Sequence, residues 1–237
     1  MVHLSGAPVA GARWTRTRKR LLRSSRIGST SALVNAMVAA ADPPRVLLSA
    51  SAIGWYGDTG ARAVDESAPA GLGFLAALVR DWEAAAQPAA AAGIRVVYLR
   101  SGLVLSRRGG MLSPLLPVFR LGLGARIGPG TQYMSWISMA DYLRAVRFLL
   151  DQPDMSGPVN MTAPNPATNA EFTRALAAAV RRPALLAVPA SAVRFALGEL
   201  SRELLGSSRV LPSRLLAAGF SFDYPEIEPA LAAAVRP

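Results

Sequence analysis

The sequence predicts an α/β protein built on a parallel sheet, with a smaller α+β region at its C-terminal end. Two observations support this fold class. Short apolar runs alternate with segments of helical periodicity as far as about Met161, and the run Ile94–Leu99 is typical of a strand buried on both faces. After Pro183 the elements become shorter and more mixed. We therefore expect one domain over residues 1–165 and a small second domain over residues 166–237.

The N-terminal elements follow from periodicity and from the residues that end them. Val2–Leu4 resembles the end of a buried strand. A long helix is predicted from Thr15 to Ala40, with a break near Gly28, and Asp42-Pro43-Pro44 ends it. The next predicted elements are a strand at Arg45–Ser49, a helix at Phe74–Ala92, the strand at Ile94–Leu99, a segment from Gly109 to Leu121, an extended stretch at Tyr133–Ser138, a helix at Ala140–Leu150 and a strand at Pro158–Met161.

The C-terminal region begins with a capping box. Thr168 and Glu171 are three residues apart, which predicts a helix that continues to Val180. The remaining predicted elements are a strand at Leu185–Val188, a helix near Ala190–Leu197, short segments at Pro212–Ala218 and Phe220–Tyr224, and a final helix at Ile227–Val235.

Composition excludes several function classes. The chain has no cysteine and a single histidine, His3, so a disulfide framework, a thiolate zinc site and a His-rich metal site are excluded. The net charge is +11, but seven of the 26 basic residues lie within residues 1–41, where there is no acid. The excess charge is thus concentrated in one helix-like segment, which argues against nucleic-acid binding as the function.

The N-terminal segment has two interpretations. An Arg-rich, acid-free start is similar to a mitochondrial transit peptide. The stronger alternative is a helix that packs one face, with its arginines on the other. No apolar run approaches the ~20 residues of a membrane span, and no secretory signal is present, so we expect a cytoplasmic protein without membrane contact.

The most informative motif is Ser49-Ala50-Ser51-Ala52-Ile53-Gly54-Trp55-Tyr56-Gly57-Asp58, which follows the apolar run Val46-Leu47-Leu48. Further matching stretches are Leu4-Ser5-Gly6-Ala7-Pro8, Ser24-Ser25-Arg26, Trp82-Glu83, Leu99–Leu105, Phe119–Gly124, Tyr133–Ile137 and Leu216–Phe220. With these stretches, essentially the whole chain resembles the sugar-nucleotide-epimerase-like branch of the extended short-chain dehydrogenases/reductases, which carries a C-terminal domain of unknown function. The resemblance implies a doubly wound, Rossmann-like sheet.

Full-length members of this group begin with a strand and a glycine-rich turn that holds the pyrophosphate of a dinucleotide. Only 45 residues precede the strand that leads into the motif, whereas each βαβ unit needs roughly 30 or more. We therefore expect that the N-terminal dinucleotide-binding half is missing and that the sheet lacks its first strands. NAD or NADP is the cofactor that the resemblance implies, and we expect that this chain does not bind it.

The catalytic pair of most short-chain dehydrogenases, a Tyr with a Lys four residues later, is absent. The only lysine is Lys19, and Phe74, Val79 and Arg80 occupy the corresponding region. Ser51 and Tyr56 remain as candidates for catalysis, Ser51 as a hydrogen-bond donor to the substrate and Tyr56 as a proton donor. The alternatives are a strand-end cap for Ser51 and a packed aromatic residue for Tyr56.

The resemblance also suggests binding residues. The cofactor would lie near Leu4, Ser5, Gly6, Arg100, Ser101 and Gly102, and the substrate near Arg120 and Trp136. Arg100 has a structural alternative, an ion pair with Asp81 or Glu83, and Trp136 has core packing as its alternative. His3 lies either beside the cofactor or in a frayed terminus.

Two functions follow. The first is an NAD(P)-dependent oxidoreductase or epimerase-like enzyme acting on a small molecule, either a nucleotide-sugar-like or a carbonyl compound. The alternative is a non-catalytic binding or regulatory protein that keeps the fold without the Tyr/Lys pair.

Overall fold

The computed structural model describes residues 1–10 and 12–236. The strands are β1 (Val2–His3), β2 (Val46–Ala52), β3 (Ala63–Val64), β4 (Arg95–Ser101), β5 (Leu103–Leu105), β6 (Ala125–Ile127), β7 (Tyr133–Met134), β8 (Trp136–Ser138), β9 (Gly157–Met161), β10 (Ala167–Thr168), β11 (Leu186–Val188) and β12 (Arg209–Val210). The helices are α1 (Arg16–Arg23), α2 (Ser29–Val38), α3 (Phe74–Ala84), α4 (Gln87–Ala91), α5 (Leu112–Arg120), α6 (Met139–Asp151), α7 (Asn169–Val180), α8 (Ala190–Leu197), α9 (Ser201–Leu205), α10 (Ser213–Ala217) and α11 (Ile227–Ala234).

A four-stranded parallel sheet in the order β1-β2-β4-β9 forms the centre of the fold. Consecutive strand residues point to opposite faces, so the neighbours Leu47 and Leu48 enter different cores. Leu47 packs with Val34 of α2 and Ala89 of α4, while Leu48 packs with residues of α6. Helices therefore cover both faces of the sheet, which confirms the predicted α/β class and its doubly wound arrangement.

The C-terminal region adds to this body through short strands and a shared core. β11 pairs with β6, and β12 pairs with β3, both in parallel. α7 and α11 pack their apolar faces against α5 and β8, with Trp136 and Leu176 fully buried between them. The division at residues 165 and 166 stays a prediction.

Most predicted elements are present with shifted ends. The predicted helix over Thr15–Ala40 consists of α1, a π-helical segment at Ser24–Gly28 and α2. The predicted break near Gly28 is a change of helix type, because the backbone of Gly28 stays helical. The predicted helix Phe74–Ala92 is divided into α3 and α4. The capping box at Thr168 and Glu171 is present and begins α7.

Candidate functional site

A row of polar side chains crosses the sheet near the carboxyl ends of three neighbouring strands. Ser51 of β2 is the register partner of Arg100 of β4, and Arg100 is the partner of Asn160 of β9. Register partners in a parallel sheet share a face, and this face is the one that Leu47 presents to α2 and α4. All three residues of the row are buried. In open α/β sheets, ligands bind at the carboxyl ends of the strands, so this row has the expected location of a site.

Glu83 of α3 connects the row to the helix above it. Its Oε1 accepts hydrogen bonds from Ser51 Oγ at 2.6 Å and Arg100 Nε at 2.8 Å, and its Oε2 accepts from Arg100 Nη2 at 2.9 Å. The side chains of Arg100 and Glu83 are only 3% and 9% exposed. This bidentate pair is the structural alternative for Arg100, and it occupies the guanidinium edge that an anion would need. The expectation that Arg100 binds the cofactor is therefore not supported by this geometry.

Tyr56 lies next to the row at the end of a 3₁₀ turn that follows β2. Its hydroxyl donates to Asn160 Oδ1 at 2.7 Å and accepts from Arg100 Nη1 at 3.1 Å. Burial raises the pKa of the Tyr56 phenol, and the nearby Arg100 charge opposes that effect without cancelling it. Trp55 places its ring 3.9 Å from the Arg100 guanidinium. At neutral pH the phenol therefore keeps its proton, which it can donate in a hydrogen bond or transfer as a general acid.

A second polar cluster lies on the same sheet face beside β1. His3 Nε2 is 3.1 Å from Thr30 Oγ1, which also accepts from Trp82 Nε1 at 3.0 Å. Burial lowers the pKa of the His3 imidazole, which favours its neutral form. His3 is thus an ordered, buried residue rather than part of a frayed terminus.

The residues expected to contact a cofactor differ in their surroundings. Leu4 and Ser5 are exposed, and a Cβ at Gly6 would lie 3.0 Å from Arg26 Cζ. Ser101 Oγ lies 3.0 Å from the Tyr142 hydroxyl, and Gly102 packs so closely on the Ser135 backbone that a Cβ would come within 2.6 Å of its carbonyl oxygen. Gly102 is therefore required for chain packing, whereas Leu4, Ser5 and Gly6 stay open to a ligand.

Two observations fit the nicotinamide dinucleotide that the resemblance implies. Ser49 is the register partner of His3, and its hydroxyl is fully buried without a hydrogen-bond partner in the part of the chain that the structure describes. A buried polar atom of this kind usually has a partner, so an incoming ligand group would satisfy it. Leu4 and Ser5, which follow β1 at its carboxyl end, are exposed and would let a ligand approach.

The two residues expected to bind the substrate lie elsewhere. Trp136 is 0% exposed, packs within the core of α5, α7 and α11, and donates its Nε1 hydrogen to Asn165 O at 3.1 Å. Its core alternative is correct, because no face of the ring is left for a ligand. Arg120 is exposed at the C-terminal end of α5, which is not part of the sheet that carries the polar row, and its carbonyl accepts from Arg182. Neither residue joins the row of Ser51 and Tyr56.

A cleft of about 1000 Å³ lies between the first part of the chain and the C-terminal region. Gly57 and Asp58, which directly follow Tyr56, form part of its wall. Trp14 and Phe74 add aromatic surface, and the C-terminal region contributes Arg194, Arg202, Glu199 and Glu203. The sequence reasoning missed this cleft, because its two walls are more than 100 residues apart in the chain.

Asn160, Glu66, Thr30 and Arg26 were also missed as site residues. Asn160 donates its backbone N–H to Glu66 Oε1 at 2.9 Å, which extends the polar row toward the C-terminal region. The only available signal was the matching stretch that contains Arg26. In the described residues, no three His, Asp or Glu side chains are grouped to hold a metal ion, and no helix has the length and apolar character to cross a membrane.

Comparison with protein-family models gives two matches. The model of the NAD dependent epimerase/dehydratase family matches residues 1–163, and a domain of unknown function, DUF1731, matches residues 188–234. The epimerase match begins at residue 1, so the prediction that the dinucleotide-binding half is missing is not supported.

Individual proteins agree with the family models. The chain is 50% identical to Epimerase family protein Mb2239 of Mycobacterium bovis, covering 100% of this chain and 79% of that protein. It is 37% identical to Epimerase family protein SDR39U1 of Mus musculus, covering 98% and 80%.

Among solved structures, human epimerase family protein SDR39U1 (isoform 2), crystallised with NADPH, matches with a TM-score of 0.93 and 33% identity over 98% of this chain and 80% of that one. The UDP-glucuronic acid 4-epimerase of Bacillus cereus, in complex with NAD, matches with a TM-score of 0.76 at 16% identity over 98% and 71%. The second likeness shows the fold alone. The expectation that a chain of this kind does not bind a nicotinamide cofactor receives no support from these structures.

Proposed function

The chain belongs to the NAD-dependent epimerase/dehydratase family, and from that premise we propose that it is an oxidoreductase or epimerase-like enzyme that uses NAD or NADP. The observation that carries this proposal is the buried row of Ser51, Arg100 and Asn160 with the Tyr56 phenol beside it. In this arrangement, the hydroxyls of Ser51 and Tyr56 lie near the edge of the sheet where ligands bind in this fold. The NADPH held by the similar human protein supports a nicotinamide dinucleotide as the cofactor.

The open residues Leu4, Ser5 and Gly6, together with the unpartnered Ser49 hydroxyl, would hold the cofactor at the carboxyl ends of β1 and β2. When bound, the nicotinamide supplies a hydride acceptor or donor for a carbinol or carbonyl carbon. The cleft beside Gly57 and Asp58 would take the small-molecule substrate, a carbonyl compound or a nucleotide-sugar-like compound.

Tyr56 acts as the acid in this scheme. Its hydroxyl proton, which is now donated to Asn160, passes to the substrate oxygen, and the Arg100 guanidinium 3.1 Å away stabilises the phenolate that remains. Ser51 donates its only hydroxyl proton to Glu83 at 2.6 Å, so its oxygen would position a substrate hydroxyl by accepting a hydrogen bond from it. The Arg100 charge would thus take over part of the role of the absent Lys.

The test is NADPH consumption, followed by absorbance, with a panel of small carbonyl compounds and nucleotide sugars. We expect Ser51→Ala and Tyr56→Phe each to lower turnover by on the order of 10²-fold, the low end for losing a positioned proton-transfer or oxyanion contact. Cofactor affinity should change little. Ser221→Ala and Tyr224→Phe are matched controls, because neither side chain makes a hydrogen bond within the described residues. Unchanged turnover in Ser51→Ala and Tyr56→Phe would contradict the catalytic assignment.

Two observations favour a second function, a binding or regulatory protein without catalysis. The only lysine, Lys19, pairs with Glu199 at 2.6 Å, and the hydroxyls of Ser51 and Tyr56 both already have protein partners. This function is distinguished by cofactor binding without NADPH consumption for any substrate of the panel. A cytoplasmic location and a two-domain division at residues 165 and 166 belong to the same set of proposals.

A further inference from the structure

Arg26 is a buried arginine without a carboxylate partner. Arg26 is 9% exposed. Within the described residues 1–10 and 12–236, its side chain takes part in no ion pair. Its guanidinium makes one long hydrogen bond there, from Nη1 to Leu22 O at 3.4 Å. Buried charges in proteins are normally paired, so this arrangement costs stability.

A second arginine increases that cost. Burial and the charge of nearby Arg18 both lower the pKa of Arg26. Arg18 itself has no carboxylate partner in the described chain: one of its terminal nitrogens donates to the Pro8 carbonyl, and its buried Nε has no partner. Other basic residues of the same segment do have partners, since Lys19 pairs with Glu199 and Arg23 with Asp81. Arg13, Arg16 and Arg20 also lack a carboxylate partner in the described chain, but all three are exposed. Arg26 and Arg18 differ from them because their unpaired guanidiniums belong to residues that are buried or half-buried.

The backbone around Arg26 is also unusual. Arg26 lies in the middle of the π-helical segment Ser24–Gly28, and π-helical turns occur frequently at functional sites. The segment directs the Arg26 side chain over the Trp82 ring, 5.1 Å from its centroid, and toward Gly6 at the carboxyl end of β1. Because Gly6 has no side chain, the Arg26 side chain can lie against its backbone: a Cβ there would be 3.0 Å from Arg26 Cζ.

We propose that Arg26 and Arg18 form a binding site for a phosphate or diphosphate group, which enters beside Gly6 and lies next to the His3–Thr30–Trp82 cluster. Two guanidiniums supply a charge of about +2 and several free N–H donors, which suits a phosphoryl dianion. The proposal rests on the proposed function only for the source of the phosphate, which is either the nicotinamide cofactor or a phosphorylated substrate.

Calorimetric titration of the full chain with inorganic pyrophosphate, NADPH and NADH tests the site. We expect Arg26→Gln and Arg18→Gln to weaken pyrophosphate binding about 10- to 100-fold, the effect of losing a charge-assisted hydrogen bond. Arg20→Gln is the matched control, because it removes the same charge from α1 at an exposed position, where the side chain has no hydrogen bond or ion pair in the described chain. An equal loss in Arg20→Gln, or no loss in Arg26→Gln, would overturn the proposal.

The cofactor arms identify the source. A loss for both NADPH and NADH assigns the pyrophosphate of the cofactor, and a loss for NADPH alone assigns the additional phosphate of NADP. A loss for inorganic pyrophosphate with neither cofactor affected assigns a substrate phosphate. Pyrophosphate binding is measured without turnover. The binding site can therefore be confirmed even if the protein proves to have no catalytic activity.

Thermal unfolding separates a binding role from a structural one. Without ligand, Arg26→Met should unfold at the same temperature as the wild type or a higher one, since it removes an uncompensated buried charge. Pyrophosphate should raise the melting temperature of the wild type and not that of Arg26→Met. A ligand-free variant that unfolds at a clearly lower temperature would show that Arg26 stabilises the fold, and this would contradict the proposal.

Discussion

The buried pair of Glu83 and Arg100 gives the sharpest prediction. Glu83→Gln keeps the shape of the side chain but leaves the Arg100 guanidinium buried without a counter-charge. The carboxylate accepts three hydrogen bonds, one from Ser51 and two from Arg100, at 2.6 to 2.9 Å. Removing one partner of such a pair costs about 3–5 kcal/mol. For a chain of this length that corresponds to a melting temperature lower by about 6–20 °C, at about 2–4 °C per kcal/mol.

Thermal unfolding followed by circular dichroism measures this change, and urea unfolding provides an independent midpoint. Asp151→Asn is the matched control, because Asp151 pairs with Arg147 at 2.8 Å on an exposed helix face, with side chains 61% and 79% exposed. Such a pair contributes about 0–1 kcal/mol. If Glu83→Gln lowered the midpoint no more than Asp151→Asn does, the burial argument for the polar row would be wrong.

Three further predictions concern stability. Trp136→Ala should cost about 3–5 kcal/mol in urea unfolding, because the ring is fully buried in the core; a cost below 1 kcal/mol would show that the ring does not fill that core. Thr168→Ala should cost about 1 kcal/mol by removing the cap of α7, and Thr168→Ser should restore most of it. Burial raises the pKa of the Glu66 carboxyl, although backbone amides donate to it. The folded protein therefore holds this proton to higher pH than the unfolded chain, so its contribution to stability is largest below the ordinary carboxyl pKa and falls as the pH rises through the raised one. Denaturation midpoints between about pH 4 and about pH 8 should decline less steeply in Glu66→Gln than in the wild type, and equal slopes would contradict the assignment.

Local signals were sufficient to predict most of the fold. Helix periodicity, Gly28, the proline pair after Asp42 and the capping box each correspond to an element boundary or a break in the structure. The prediction failed where tertiary contacts decide. β2 continues to Ala52, three residues beyond its predicted end, because β4 supplies register partners as far as Ser101. The small parallel pairs of the C-terminal region, such as β12 with β3, join segments about 145 residues apart, and no local pattern encodes them.

The candidate site was predicted only in part, for the same reason. Ser51 and Tyr56 could be named because a strand-end motif contains both, and the structure places them within one hydrogen-bonded network. Arg100 and Trp136 each had two possible roles in the sequence. Burial decided between those roles, since the Arg100 guanidinium forms a buried ion pair with Glu83 and the core surrounds Trp136. Burial depends on which elements pack together, and residue type alone does not determine it.

The two polar clusters of this chain are held by adjacent residues of one helix. Trp82 donates to Thr30 and lies against Arg26, while Glu83 accepts from Ser51 and pairs with Arg100. In most short-chain dehydrogenases this helix carries the catalytic Tyr and Lys, and here apolar residues such as Val79 occupy that region. The second half of α3 therefore positions groups of the sheet and of the π-helical segment. The helix does not itself supply the catalytic proton donor. A chemistry that survives the loss of the Tyr/Lys pair would have to use groups positioned in this way. Tyr56 is such a group, because it lies beside the Arg100 charge and would give up the proton that it now donates to Asn160.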